Sequence, residues 1–247
     1  MNDFKYIANF KMNGSVKSVS QWIKKIGELP EAKQKQCIFC PPSCFLSLAS
    51  GIIKESRLDI NLGAQNFDED NTQSFTGGIS ASMLLELGCD YVIIGHSERR
   101  IIAFEDDAIL LKKLASAIQS NLKIIFCIGE SKEDRLNLKT FDKLSSQLSI
   151  LEKFTDFQAS FLLAYEPIWA IGSGHAASAQ EITEVHSFLK KSLIEIFGPS
   201  SSIPTLYGGS VLTDNITSLV GLNEIQGLLI GGASLNPEDF YKIVTTY

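Results

Sequence analysis

The sequence predicts an α/β protein folded as a closed (β/α)8 barrel, with eight parallel strands surrounded by helices. Three observations point there. Short apolar runs recur along the 247 residues, each ends in a polar or glycine-bearing break, and each break leads into a longer stretch with apolar residues at three- and four-residue steps. Eight such runs share the length at about 31 residues per unit, the size of one strand–helix step in a parallel sheet. Strands apolar on both faces, alternating with amphipathic helices, require helices to cover the sheet. A doubly wound open sheet fits the same alternation, but more often with five or six strands than with eight.

In order, the strand candidates are Tyr6–Asn9, Cys37–Cys40, Leu58–Gly63, Tyr91–Gly95, Lys123–Ile128, Ser160–Ala164, Ile203–Tyr207 and Gly227–Gly231. Between them, Ile182, Val185, Leu189, Leu193 and Ile196 form an apolar stripe after Ser178, bordered by Glu184, Lys190, Lys191 and Glu195. Lys112–Ile118 and Lys143–Leu151 repeat that spacing. Asn236-Pro237-Glu238-Asp239 places an N-cap before a proline at the first helical position. No linker, low-complexity tract or change of composition interrupts residues 1–247. One domain spanning the chain is therefore expected, as is usual for α/β barrels of this length.

Hydrophobic residues make up 45% and charged residues 20%, enough to fill a large core and too apolar for a disordered chain. The formal charge is −6, from 22 basic and 28 acidic residues. Without a basic block there is no electrostatic footprint for nucleic acid or an anionic membrane. No apolar run reaches the roughly 18 residues of a membrane span, and Met1-Asn2-Asp3-Phe4-Lys5 has no signal-peptide pattern. A cytoplasmic protein is expected. The five cysteines are an odd number, consistent with free thiols. Cys37, Cys40 and Cys44 have a metal-like spacing, but Cys37-Ile38-Phe39-Cys40 is an apolar run stopped by Pro41-Pro42, so buried thiols and no metal are the preferred reading.

The strand ends carry residues unusual for ordinary loops: Asn9 and Lys11, Gln65 and Asn66, His96-Ser97-Glu98, Cys127 and Glu130, Glu166, Gly208-Gly209-Ser210, and Gly231-Gly232-Ala233-Ser234. A barrel brings all of them to its C-terminal rim, where barrel enzymes place their sites. The glycine pairs follow the last two strands, where backbone N–H groups commonly hold a phosphate, although a glycine pair alone is often only a turn.

Of the three histidines, His186 lies in a helical stripe and His175 in a small-residue loop, whereas His96 ends a strand. There an imidazole can act as acid, base or hydrogen-bond donor; a structural histidine is the competing reading. Glu98, Glu130 and Glu166 are candidate bases. Glu166 stands out because Pro167-Ile168-Trp169-Ala170-Ile171-Gly172-Ser173-Gly174 has the composition of a closing lid: stiff start, bulky middle, flexible end. Closure over a carboxylate suits abstraction of a carbon-bound proton. Lys11, two residues from Asn9 on the same strand side, can neutralise a phosphate or a developing enediolate, or be a surface charge.

Together, Asn9-Phe10-Lys11-Met12-Asn13-Gly14, Ile94-Gly95-His96-Ser97-Glu98-Arg99-Arg100, Ala164-Tyr165-Glu166-Pro167-Ile168-Trp169-Ala170-Ile171-Gly172, Tyr207-Gly208-Gly209-Ser210-Val211 and Gly231-Gly232-Ala233-Ser234-Leu235 resemble the triosephosphate isomerase family nearly end to end. The resemblance implies a TIM barrel that interconverts dihydroxyacetone phosphate and D-glyceraldehyde 3-phosphate through an enediolate, in glycolysis and gluconeogenesis, without cofactor or metal. It implies Glu166 as the proton-shuttling base and His96 as the electrophile; a carboxylate working with a neutral imidazole is the family's known pairing, not something these residues reveal unaided. Lys11 and Asn9 match substrate-contacting positions, Gly172, Ser210, Gly231 and Gly232 the phosphate grip, and Cys127 and Glu98 supporting rim residues. It also implies a homodimer in which loop 65–78 inserts beside the partner's active site, with Phe67 and Phe75 expected to be exposed on that loop.

Some positions depart from the family pattern: Gln73 and Gly78 in the interface loop, Ser173 and His175 in the lid, and Lys190 and Gln226 where Arg and Asp are common. A Lys190–Gln226 hydrogen bond could replace an ion pair there. Two other functions stay open: a sugar-phosphate isomerase or lyase on a phosphate-binding barrel, and a scaffold that has lost catalysis.

Overall fold

In the computed structural model, which describes residues 4–69, 74–171 and 176–246, eight parallel strands pair in chain order and the last closes onto the first. They are β1 (Lys5–Asn9), β2 (Cys37–Cys40), β3 (Asn61–Ala64), β4 (Tyr91–Ile94), β5 (Lys123–Ile128), β6 (Phe161–Tyr165), β7 (Thr205–Tyr207) and β8 (Gly227–Ile230). The seam is formed by Lys5 through Ala8 against Gly227 through Ile230. Helices follow the strands, as the alternating pattern requires.

The strand bounds differ from the apolar runs where backbone chemistry intervenes. Leu58 is still tied to the preceding helix, its N–H donating to Ile53 at 3.0 Å, so β3 pairing starts only at Asn61. Pro204 has no N–H to give a ladder, and β7 begins at Thr205. The Lys112–Ile118 stripe sits inside a longer helix, Asp107–Gln119, because the Asp106 carboxylate accepts the Ile109 N–H at 2.9 Å and starts it earlier. The Lys143–Leu151 stripe divides into a helix, Thr140–Leu148, and a 3-10 stretch, Ser149–Ser160, with non-helical backbone at Phe154 and Phe157. Asn236 caps its helix as its sequence suggests, accepting the Glu238 N–H at 2.9 Å.

Two apolar layers result from strand alternation. One set of side chains fills the barrel, among them Ile7, Ile38, Cys40, Ile93, Ile125, Cys127, Leu162, Ala164 and Leu229. The alternate set faces the helices, where Trp22 stacks on Phe39 with ring centroids 4.2 Å apart. Cys37 faces the helix layer and Cys40 the barrel interior, while Cys44 is exposed. A spacing of three along a strand puts the first two thiols on opposite faces, so the C-x2-C-x3-C pattern does not gather three ligands. Phe67 is a correction: it is buried in the core between strands and helices, whereas Phe75 is exposed. The loop after β3 therefore starts inside the protomer, with Asn66 held by the Lys113 ammonium at 2.6 Å.

His186 is structural. It is fully buried, its Nδ1 lies 3.0 Å from the Thr205 hydroxyl, and its Nε2 has no partner. Thr205 Oγ1 donates to the Glu224 carbonyl at 3.0 Å, which leaves the hydroxyl to accept from His186 Nδ1–H and places the neutral imidazole's lone pair on the unpartnered nitrogen. Burial pushes its pKa down to about 3. Since the unfolded imidazole takes its proton near 6.5, the unfolded state binds more protons between these values, and stability falls as pH falls through that window. The loss accumulates to an order of a few kcal/mol by the lower end. Urea midpoints measured from pH 7.5 to 4.5 are expected to decline less steeply in His186→Gln than in the parent protein; parallel declines would assign the acid limb to other groups.

The departures at Lys190, on the helix Ala179–Phe197, and Gln226, just before β8, do not bond each other. Lys190 donates to the Asn223 carbonyl at 3.3 Å, and Gln226 uses its carbonyl oxygen for the Thr205 N–H at 3.0 Å and its amide for Asn223 and Glu224 carbonyls. The anticipated Lys190–Gln226 hydrogen bond is replaced by a shared acceptor.

Candidate active site

Alternation along the strands aims the site residues. On β1, Ile7 points into the barrel, so Asn9 and then Lys11 continue the inward row; on β6, Leu162 and Ala164 lead to Glu166 in the same way. His96 has the opposite parity. Gly95, at φ +77°, reverses the chain direction after β4 and turns the imidazole into the rim. These four side chains line one cleft of about 340 Å³ at the strands' C-terminal ends, together with Ser210, Gly231 and Gly232 from the loops after β7 and β8.

Lys11 sits in a left-handed backbone conformation, φ +50°, where its N–H donates to the Asn9 carboxamide oxygen at 3.0 Å. Gln65 braces the turn by donating to the carbonyls of Lys11 at 3.0 Å and Cys40 at 2.9 Å. A non-glycine residue held at positive φ stores strain that the surroundings must enforce. The Lys11 ammonium meets the half-exposed Glu98 carboxylate at 2.6 Å, which keeps the one cation among the described cleft-lining residues extended over the cavity.

His96 begins the short helix Ser97–Ile101, and its Nδ1 accepts the Glu98 N–H at 3.2 Å. An accepting Nδ1 places the proton on Nε2, which faces Glu166 Oε1 at 2.9 Å. Burial disfavours the imidazolium, but the adjoining Glu166 and Glu98 carboxylates outweigh it and raise the His96 pKa above its ordinary value.

Glu166 is almost fully buried. Its Oε2 accepts the Ser97 N–H at 2.9 Å, and its own N–H is fixed by the Ile128 carbonyl at 2.8 Å. Gly129 makes this placement possible: a Cβ there would lie 1.8 Å from the Glu166 carbonyl oxygen. Gln147 clamps Gly129 from behind through both backbone groups, at 2.8 and 3.1 Å. Neither residue was marked by its sequence context, since a Gly after an apolar strand reads as an ordinary break.

Glu130, a candidate base by position, faces away from the cleft. Its Oε1 receives Tyr165 Oη at 3.0 Å, the Trp169 indole N–H at 2.9 Å and Arg135 at 3.3 Å. It therefore anchors the segment around Trp169. Further along the chain the Ala177 N–H donates to the Tyr207 hydroxyl at 3.2 Å. Ile171 lines the cleft between these anchors. Gly172, Ser173 and His175 lie outside the described residues, as does Gln73 of the interface loop.

The loop after β8 is anchored on the helix layer. Trp22 donates to the Ser234 carbonyl at 2.8 Å, and Ser234 Oγ donates to the Gly231 carbonyl at 2.7 Å, so the barrel's packing fixes the loop after β8. A Cβ on Gly232 would meet nothing within 4 Å: its glycine leaves open space at the cleft. Cys127 does not line the cleft; it is buried below Glu166, and burial pushes its thiol well above the ordinary range, which makes it unreactive filling.

Comparison with known proteins agrees over the whole architecture. The family model described as triosephosphate isomerase matches residues 5–247. The triosephosphate isomerase of Aquifex aeolicus (strain VF5) is 40% identical over 249 aligned positions, covering 97% of this chain and 98% of that protein. That of Dictyoglomus thermophilum is 41% identical over 244 positions, covering 96% of each. That of Chlamydia trachomatis serovar D is 41% identical, covering 96% of this chain and 87% of that protein.

Proposed function

Because the chain belongs to the triosephosphate isomerase family and is an isomerase of dihydroxyacetone phosphate and D-glyceraldehyde 3-phosphate, we propose that Glu166 is its catalytic base, His96 its electrophile, and Lys11 with Asn9 its substrate clamp. The observation that carries this assignment is the convergence on one cleft of a buried carboxylate, an imidazole whose Nε2 faces it at 2.9 Å, and a single lysine.

The reading gives the following sequence of events. Ser210, Gly231, Gly232 and Gly172 receive the phosphate through backbone N–H groups, and Lys11 supplies the compensating charge. His96 Nε2–H and Lys11 polarise the substrate oxygens, Asn9 fixing the turn that aims the lysine. Glu166 leaves the Ser97 N–H, takes a proton from the carbon beside the carbonyl, and returns it to the neighbouring carbon. The negative charge that develops on the enediolate oxygens is met by Lys11 and by the His96 N–H. Ile171, which lines the same cleft as Glu166, helps keep water from the carboxylate. Glu98 orients Lys11, and Cys127 fills the floor. A coupled assay with glyceraldehyde 3-phosphate tests the activity: turnover restricted to longer sugar phosphates, or none, would overturn the reading.

The chain works as one domain, residues 1–247, in the cytoplasm, and pairs as a homodimer through loop 65–78. Among the described residues no helix is long and apolar enough to cross a membrane. Support for the dimer comes from the exposed apolar side chains Met12, 96% exposed, Phe104, 80% exposed, Phe75, Ile101 and Ile102. The loops bearing them are tied together by the Gln65–Lys11 and Lys11–Glu98 bonds. So much unpaired apolar surface next to a catalytic lysine calls for a partner that covers Met12 and rigidifies the Lys11 turn. Light scattering at micromolar concentration is expected to give twice the 27.1 kDa chain mass, and Phe104→Asp to give a monomer with reduced turnover. A stable monomer of the parent protein would overturn this assembly.

A further inference from the structure

We propose that Arg100 is a positioning residue for the isomerisation, strapping the ends of β4 and β5 together beneath His96 and Glu166 and so setting their separation; this rests on the roles assigned to that pair above. Arg100 belongs to the short helix that His96 opens, and its backbone N–H donates to the His96 carbonyl at 3.1 Å. Its side chain turns back under that helix. Nε donates to the Gly95 carbonyl at 2.8 Å and Nη2 to the Cys127 carbonyl at 3.1 Å. Gly95 directly precedes His96, and Ile128, directly after Cys127, holds the Glu166 N–H at 2.8 Å. The guanidinium thus completes a run of backbone contacts leading from His96 to Glu166.

The setting is costly for a mere structural cation. The Arg100 side chain is 15% exposed, and its ion pair with Asp107 is long, 3.4 Å, to a carboxylate that is 68% exposed. Its guanidinium lies 5.7 Å from the Phe126 ring centre. Burial lowers its pKa, and the charges that oppose this include the Glu166 carboxylate as well as Asp107. A buried cation compensated largely by two carbonyl dipoles contributes little net stability. A planar fork, however, can fix two carbonyls at once, which an ammonium does less rigidly. The site is also shaped around it: a Cβ on Gly95 would come within 2.9 Å of Nη2 and 3.0 Å of the Cys127 oxygen.

The test compares Arg100→Lys and Arg100→Gln with the parent enzyme, reading kcat, KM and inhibition by inorganic phosphate. A misplacement of the pair is expected to cost Arg100→Gln about 100-fold in kcat, with KM and phosphate inhibition within threefold. Arg100→Lys, which keeps the charge but not the planar fork, loses about tenfold in kcat. Folded variants with kcat within twofold of the parent, or losses confined to KM, would overturn the proposal. So would failure of both variants to fold, which would assign Arg100 to the scaffold. A parent enzyme without isomerase turnover would instead overturn the underlying assignment of the pair.

Discussion

Glu166→Gln is expected to lower kcat by about 100- to 10,000-fold, the range in which a positioned general base contributes. The substitution is nearly isosteric, and the carboxamide oxygen can still accept the Ser97 N–H that holds Oε2 at 2.9 Å. Gly129, Gln147 and the Ile128 carbonyl fix the Glu166 backbone, so the fold does not depend on the lost charge. The base acts on carbon in the transition state rather than on the phosphate in the ground state. KM and phosphate inhibition are therefore expected to change little, and the loss to fall on kcat. A Glu166→Gln enzyme with parental kcat would remove Glu166 from the chemistry.

Lys11→Met is expected to lower kcat/KM by about 100- to 1,000-fold, as when a preorganised stabilising group is removed from a developing anion. Methionine keeps the length of the stem, and Gln65 still braces the turn at φ +50°. What disappears is the charge. Glu98, bonded to Lys11 at 2.6 Å, is half-exposed and can turn to water, so the cost to stability is small. Unlike the loss at Glu166, this one is divided between KM and kcat, because the role proposed for the ammonium covers both the bound phosphate and the enediolate. Inhibition by inorganic phosphate, weakened at least tenfold, separates the two variants; unchanged phosphate inhibition would place Lys11 outside the anion site.

Much of this site is legible in the sequence because it lies at strand ends. Strand alternation carries Ile7 to Asn9 and Lys11, and Leu162 and Ala164 to Glu166, so an inward-pointing row can be followed from residue order alone. The eight strands are legible for the same reason: buried parallel strands read as continuous apolar runs. What alternation cannot supply is contact between distant segments. Nothing near Gly129 announces that the Glu166 carbonyl must approach so closely, and nothing near Arg100 announces two carbonyl acceptors on different strands.

Loops show the same division. Glu130 sits at a strand end yet turns to Tyr165 and Trp169, because a buried carboxylate must find donors and those two are within reach. Phe67 follows β3 on a long loop, and composition suggested exposure. Its burial reflects the loop's first residues still crossing the helix layer, which only the Lys113–Asn66 contact reveals. The Lys190 and Gln226 side chains illustrate the limit for pairs: each finds the Asn223 carbonyl, a backbone group invisible to any side-chain matching.

The global charge of −6 bears little on the site. In the proposed site one lysine and backbone N–H groups suffice for a small dianion locally, whatever the surface carries elsewhere.

Deuterium exchange into substrate is the most direct test of the central claim that Glu166 moves a proton between adjacent carbons. Proton NMR of dihydroxyacetone phosphate incubated with the enzyme in D2O is expected to show deuterium entering the carbon next to the carbonyl, and Glu166→Gln to abolish this while still binding inorganic phosphate. Exchange at the parental rate in Glu166→Gln would contradict the account.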